Sequence, residues 1–357
     1  MVRARHGGPA IPGQPIEADR QGLSALSSPT AERRREQVEF YVTITDTDRT
    51  APSPELARWV GDAETFLACF WRRQPGVFHP AAPLVPPLTL GSVDTMLQEG
   101  LLRTPYLEMT RPDRMIPEDD YCTSRTVNQT AHNGFADATK VRELLSEGAT
   151  LLLRCVDQWH SATAELADRF GRELGRKTEA FFFVTPPGRQ GLRVHRDDAD
   201  VFVLQVNGSK DWQIHPGPAD GNWHPGPVSD PGPVLLTTPL QTGEVLYIPR
   251  GFAHCATGSR GLSAHLSFTV REIGGSHLHK ELLRLISARH RPLPRPLDDA
   301  DLIDQARVLI GRLTGELQQT TAEGLVASAR DSLRKESAAH PDPGLMTMAR
   351  HLAAKES

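Results

Sequence analysis

A mainly β fold, a double-stranded β-helix or jelly-roll barrel with helices before and after it, is what this 357-residue sequence predicts. The stretch from Phe181 to Val270 is built of short apolar, β-branched and aromatic runs, punctuated by Gly, Pro and Asn turns, as an antiparallel barrel requires. Ahead of it apolar residues recur at helical spacing, and after Gly274-Gly275 the helical period returns. The length exceeds that of a typical single domain, so one large domain with a smaller appended part is expected.

The elements follow in order. Residues 1–37 are rich in Arg, Gly, Pro, Ser and Glu without periodic hydrophobicity and read as a disordered arm with a mildly basic start at Arg3 and Arg5. Residues 38–275 are expected to form the barrel domain with its leading helices. Ser53-Pro54-Glu55 offers a cap and an N1 proline, and Asp62 opens a second helix through Phe66, Phe70 and Trp71. Helices are then expected over Val141 to Leu145 and Gln158 to Leu174, the latter with Ala162, Leu166, Phe170 and Leu174 on one face. Asn207-Gly208, flanked by strand-like runs, predicts a type I′ hairpin, so that Lys210 begins a returning strand. The Gly/Pro-rich connection holding His215, Trp223 and His224 reads as a solvated loop. Residues 276–357 read as a helical region whose apolar faces need a partner, either the barrel or another subunit: His277 to His290, then an amphipathic helix through Leu302, Ala306, Leu309, Leu313 and Leu317, then one near Ala322 to Leu333. No internal repeat is evident.

Composition excludes several classes. A net charge of −4 supplies no overall basic field, so nucleic acid is not the favoured partner. No apolar run approaches membrane-spanning length, so no membrane partner is expected. The four cysteines, Cys69, Cys122, Cys155 and Cys255, are widely spaced and follow no secretory signal, which points to a reducing cytoplasm. Cys255 reads as a small buried apolar side chain facing away from its neighbour His254.

The chemistry sits in His195-Arg196-Asp197 and the later His254. On a strand, side chains two apart share a face, so His195 and Asp197 are presented together while Arg196 points away. His254 closes the run Gly243 to His254, behind the Pro249-Arg250-Gly251 turn. Two imidazoles and one carboxylate leave metal positions open, the ligand set of non-haem Fe(II) oxygenases, with zinc less expected. Lys210 offers a cation for a carboxylate in the same cavity. His265 reads as a hydrogen-bonded core histidine rather than a fourth ligand.

The run from Val184 to Gln205, with Leu246 to His254 and Ser263 to Ser267, resembles the JmjC-type ribosomal oxygenases, cupin-fold protein hydroxylases dependent on Fe(II) and 2-oxoglutarate. The resemblance implies that His195, Asp197 and His254 hold iron and act catalytically. It implies that Lys210 pairs with the distal carboxylate of 2-oxoglutarate and that Thr269 assists. Dioxygen is the second co-substrate, a peptide or protein the substrate and a homodimer the expected assembly. Many relatives carry Asn and Tyr at the positions of Phe181 and Phe183, so two polar contacts are missing here, and core packing competes with a pocket role for both rings. Relatives continue into a winged-helix domain, for which the roughly hundred residues after His254 look too few. Two alternatives stay open: a hydroxylase of a free amino acid or small metabolite, and a noncatalytic metal-binding cupin acting as a binding module.

Overall fold

The computed structural model describes residues 54–288, 293–336 and 344–354, so the expected arm and Ser53 lie outside the described residues. Two short helices open it, α1 (Pro54–Val60) and α2 (Ala63–Cys69). The Asp62 carboxylate accepts the N–H groups of Glu64 and Thr65 at 3.0 and 3.1 Å, satisfying donors that the first helical turn leaves unpaired. Strand β1 (Gly76–Phe78), helix α3 (Leu90–Glu99), strands β2 (Leu107–Arg111), β3 (Arg114–Met115), β4 (Cys122–Val127) and β5 (Thr130–Ala136), helix α4 (Ala138–Ser146) and strand β6 (Thr150–Leu153) lead to helix α5 (Ser161–Leu174). Sequence reasoning starts that last helix at Gln158. A 3-10 turn covers Val156–Gln158 instead, and α5 begins after His160, whose Nδ1 meets the Thr163 hydroxyl at 2.9 Å.

The barrel is made by β7 (Lys177–Thr185), β8 (His195–Arg196), β9 (Ala199–Ile214), β10 (Gly226–Pro227), β11 (Leu236–Gln241), β12 (Val245–Ile248) and β13 (His254–Arg271). Two long strands, β9 and β13, pair antiparallel along almost their whole length. Their one half belongs to a layer ordered β1-β12-β9-β13-β7-β6-β2-β3. In the other half β9 carries β11, while β13 takes β8, which itself pairs with β10. Both long strands thus cross between two layers, the arrangement of a double-stranded β-helix. Val201 and Val203 from the first half join Trp212, Ile214, Leu240, Leu246, Ile248 and Ala256 in one buried cluster between the layers. Strand alternation sends Phe182, Phe202, Tyr247 and Phe268 to the opposite face, where they pack with Leu56, Trp59, Phe66 and Phe170 of the helices. Trp59 meets Phe170 and Phe268 edge-on, with centroids 4.9 and 5.5 Å apart.

The hairpin expected at Asn207-Gly208 is not there. Strand β9 runs through both residues, and Lys210 stays on it. Gly208 does adopt a positive φ of 63°, but it serves a bulge: the register with β13 slips between Arg260 and Ala264. A Cβ at 208 would stand 2.5 Å from the Arg260 carbonyl oxygen. The turn residues bend a strand that is already paired on both sides, so its ladder partners override the local preference for reversal.

Beyond the barrel come α6 (Gly275–Ala288), α7 (Asp299–Gln319), α8 (Ala322–Lys335) and α9 (Gly344–Ala353). The end expected for α6, His290, lies outside the described residues. Glu281 on α6 accepts from Ser332 of α8 at 2.9 Å, and Arg330 of α8 donates to Glu272 at the end of β13 at 2.9 and 3.1 Å. Helix α7 buries no residue; Leu302 and Ile310 are 55% and 64% exposed. No helix among the described residues is long and apolar enough to cross a membrane.

Candidate metal centre and co-substrate pocket

Strand β8 is only two residues long, and neighbours on both edges hold it: His195 pairs with His254 of β13 and with Pro227 of β10. Asp197 follows the strand rather than lying in it. Gly251, at φ 81°, completes the turn after which His254 heads β13. His195 Nε2 stands 3.8 Å from one Asp197 oxygen and His254 Nε2 3.6 Å from the other. One donor atom from each of the three side chains lies within 4.8 Å of the others. Both imidazoles are oriented by main-chain carbonyls, His195 Nδ1 to Arg193 at 2.8 Å and His254 Nδ1 to Phe252 at 3.0 Å. A carbonyl only accepts, so each Nδ1 carries the hydrogen and each Nε2 lone pair is left for a metal. Burial, reinforced by the neighbouring His195, pulls the His254 imidazole down to about 4, against the opposing pull of Asp197. It is therefore neutral at neutral pH, the form that ligates. This donor set could hold a ferrous ion with positions to spare.

Lys210 is buried, 3% exposed. Its Nζ donates to the Thr185 hydroxyl at 3.0 Å, and Thr185 meets Thr150 at 3.2 Å. The ammonium lies 5.9 and 5.8 Å from the ring centres of Phe183 and Trp212. Among the described residues no carboxylate pairs with it, and burial drags its pKa from 10.5 to about 7. Trp212 ties this pocket to the metal ligands, its ring centre 6.1 Å from that of His254 and 5.4 Å from that of His265. Trp212 Nε1, His265 Nδ1 and Gln205 Oε1 are buried without hydrogen-bond partners. A buried cation without a counter-charge, beside orphaned polar atoms, costs several kcal/mol unless a polar ligand completes it.

The other expected residues fall elsewhere. Thr269 pairs with Glu179 on β7, six residues from Thr185 and so roughly 20 Å along the strand. Its hydroxyl donates to the Glu179 carbonyl at 3.3 Å. The hydroxyl gathered at Lys210 is Thr185, which sequence reasoning missed. Its signal was positional: Phe181, Phe183 and Thr185 alternate on one face of β7. Phe181 and Phe183 are half-buried on that face, opposite the aromatic core, and Phe183 stacks on His265 at 4.7 Å. His265 is buried, but its Nδ1 lacks the hydrogen bond expected of it. His215 departs from the solvated loop reading: it is buried and its Nδ1 donates to the Gly232 carbonyl at 2.9 Å. Trp223 lies under the Arg250 guanidinium at 5.4 Å. Cys255 is half-exposed rather than buried.

Comparison with known proteins locates the same region. Residues 157–278 match the JmjC domain family. A 254-residue stretch is 26% identical to ribosomal oxygenase 1 of Gallus gallus, covering 66% of this chain and 40% of that protein. A 259-residue stretch is 27% identical to the bifunctional lysine-specific demethylase and histidyl-hydroxylase NO66 of Culex quinquefasciatus, covering 68% of this chain and 38% of that one. The chain thus spans well under half the length of these relatives. The solved structure of ycfD from Escherichia coli superposes with a TM-score of 0.49 at 18% identity, over 74% of this chain and 69% of that one. The barrel that gathers His195, Asp197, His254 and Lys210 therefore falls within the stretch that matches the JmjC domain family, and the chain is similar in sequence to ribosomal oxygenases over about two thirds of its length.

Proposed function

We propose that this protein is an Fe(II)- and 2-oxoglutarate-dependent oxygenase that hydroxylates a side chain of a peptide or protein. The observation that carries the reading is the buried Lys210 ammonium, without a carboxylate partner among the described residues, 5.8 Å from the ring of Trp212, which in turn neighbours His254 of the His195–Asp197–His254 cluster at 6.1 Å. His195, Asp197 and His254 would hold the iron by two Nε2 atoms and one carboxylate oxygen. Bound there, ferrous iron supplies dioxygen activation coupled to oxidative decarboxylation of the keto acid. Lys210 and Thr185 would grip the distal carboxylate by charge-assisted hydrogen bonds and so fix the keto end toward the metal. Trp212 Nε1 and His265 Nδ1 are placed to complete the polar lining. Val203, Ile214, Leu246 and Ile248 keep the inner barrel dry, which strengthens each of these contacts.

The names of the relatives point to a ribosomal protein, and to a histidine within it, as the first substrate class to try. Four free thiols suit a reducing cytoplasm. The uncovered apolar face of α7 suits a second copy of the chain, in a homodimer.

The test is direct. Full-length protein with Fe(II), ascorbate and oxygen should convert 2-oxoglutarate to succinate, faster with the right peptide, which gains one oxygen by mass spectrometry. A protein that binds metal but neither binds nor turns over 2-oxoglutarate would be a binding module instead.

A further inference from the structure

Arg196, between His195 and Asp197, bonds away from the candidate metal cluster, yet it joins the segments that carry all three of its side chains. Arg196 Nη1 donates to the Pro216 carbonyl at 2.8 Å and to the Gly251 carbonyl. Gly251 belongs to the turn that delivers His254, and its N–H donates back to the Asp197 carbonyl at 3.0 Å. A closed ring results: Arg196 to Gly251, Gly251 to Asp197, Asp197 to Arg196 through the chain. Pro216 opens the connection 215–235, which folds across the back of β8. That connection is pinned by His215 to Gly232, by Val228 N–H to the Val194 carbonyl at 3.0 Å, and by the pairing of Gly226 and Pro227 with Arg196 and His195. No carboxylate among the described residues pairs with Arg196, and both of its hydrogen bonds, from Nη1, go to these two carbonyls.

We infer that Arg196 is a positioning residue for the metal site: from the far face of β8 it sets the separation between the His195–Asp197 segment and the turn bearing His254. Pro216 and Gly251 lie 35 positions apart; main-chain bonds from Gly251 to the Asp197 carbonyl and from His215 to the Ala253 carbonyl at 2.7 Å join the same segments, and Arg196 is the side chain that ties them together. A β8 of two residues has too few ladder hydrogen bonds to hold three ligands in register alone. Both bonds leave one nitrogen, Nη1, whose two hydrogens the rigid guanidinium plane holds in fixed directions, whereas an ammonium on a shorter, freely rotating stem fixes neither its place nor its directions.

The inference rests on the metal reading above, and its test separates the two. Co(II) is titrated into full-length wild-type protein, R196K and R196M, following the visible d–d absorption, with thermal melting recorded alongside. Wild type should bind Co(II) with a discrete d–d spectrum. R196M should bind 10- to 100-fold more weakly, the usual effect of losing a group that orients ligands, with an altered band shape and a cooperative melt. R196K should fall between. A wild type without Co(II) binding would sink the metal reading and this inference with it. Wild-type binding with affinity and spectrum unchanged in both variants would overturn the positioning role alone. Loss of the cooperative melt in both variants would make Arg196 a folding residue instead and also overturn it.

Discussion

At the residue scale the decisive feature is a lysine whose charge the fold does not neutralise. Its pKa of about 7 against an ordinary 10.5 means that the ligand-free folded protein releases this proton first. Between pH 7 and 10.5 the unfolded chain binds more protons, so ligand-free stability should rise with pH across that window and level off above it. Lys210→Met removes the ammonium but keeps the volume, and denaturant titrations of this variant should lose that rise. The same variant should weaken 2-oxoglutarate binding roughly 10- to 100-fold, the worth of a charge-assisted hydrogen bond, while Co(II) affinity stays within a few-fold. Equal loss of both would contradict the assigned role. Binding of the dianion above pH 7 should also take up a proton, visible by calorimetry in buffers of different ionisation enthalpy. His195, Asp197 and His254 were legible because a His-x-Asp pair and a later His behind a Pro-Gly turn form a pattern in one dimension. Lys210 was legible too, but for a mistaken reason, since it follows a bulge and not a hairpin. Thr185 and Trp212 were not, because nothing in a Thr or a Trp on a strand says which face is the pocket until the register is known.

At the scale of elements, one carboxylate joins three of them. Glu272, at the end of β13, receives Arg176 from the α5–β7 link at 3.0 Å, Arg72 from beyond α2 at 2.7 Å and Arg330 from α8. Burial alone would raise its pKa, but the Arg330 hydrogen bond and the charges of Arg176 and Arg72 outweigh it and hold it at about 2. A carboxylate lowered from 4.5 contributes stability fully present above pH 4.5 and lost as pH falls toward 2. Glu272→Gln should therefore destabilise by about 3 kcal/mol at pH 7, flatten the acid limb between pH 4.5 and 2, and speed amide exchange in α8. Unchanged exchange there would mean that α8 is held by other contacts. Arg72 also reaches Asp200 at 3.3 Å, and Asp200 accepts from the Tyr247 hydroxyl at 2.7 Å and from the Arg250 N–H at 3.2 Å. One polar network therefore runs from α8 to the turn before His254. Acidic residues at 200 and 272 were plain in the sequence, but their partners lie 47 to 200 positions away from them.

At the scale of the whole molecule the open question of assembly lies with α7. Its apolar positions repeat at helical spacing, as the sequence promised, yet among the described residues Leu302, Ile310 and Leu317 stay exposed while Leu309 and Leu313 are half-buried. Replacing Ile310, on the exposed face, by Asp should convert a dimer to a monomer by light scattering while leaving 2-oxoglutarate turnover within a few-fold. An unchanged mass would place the dimer elsewhere or exclude it.

The sequence by itself determined the class of fold and the three side chains that cluster as a candidate metal site, because strand punctuation, helical period and the His-x-Asp pattern are local signals that short-range sterics make readable. Only the tertiary structure decided that Asn207-Gly208 bends a strand instead of reversing it, that Thr185 and not Thr269 stands at Lys210, and that connection 215–235 backs the strand carrying His195. Each of these depends on which strands pair and in what register. Pairing is settled by burying one face of each strand against partners far away in the chain, where no local pattern reports it.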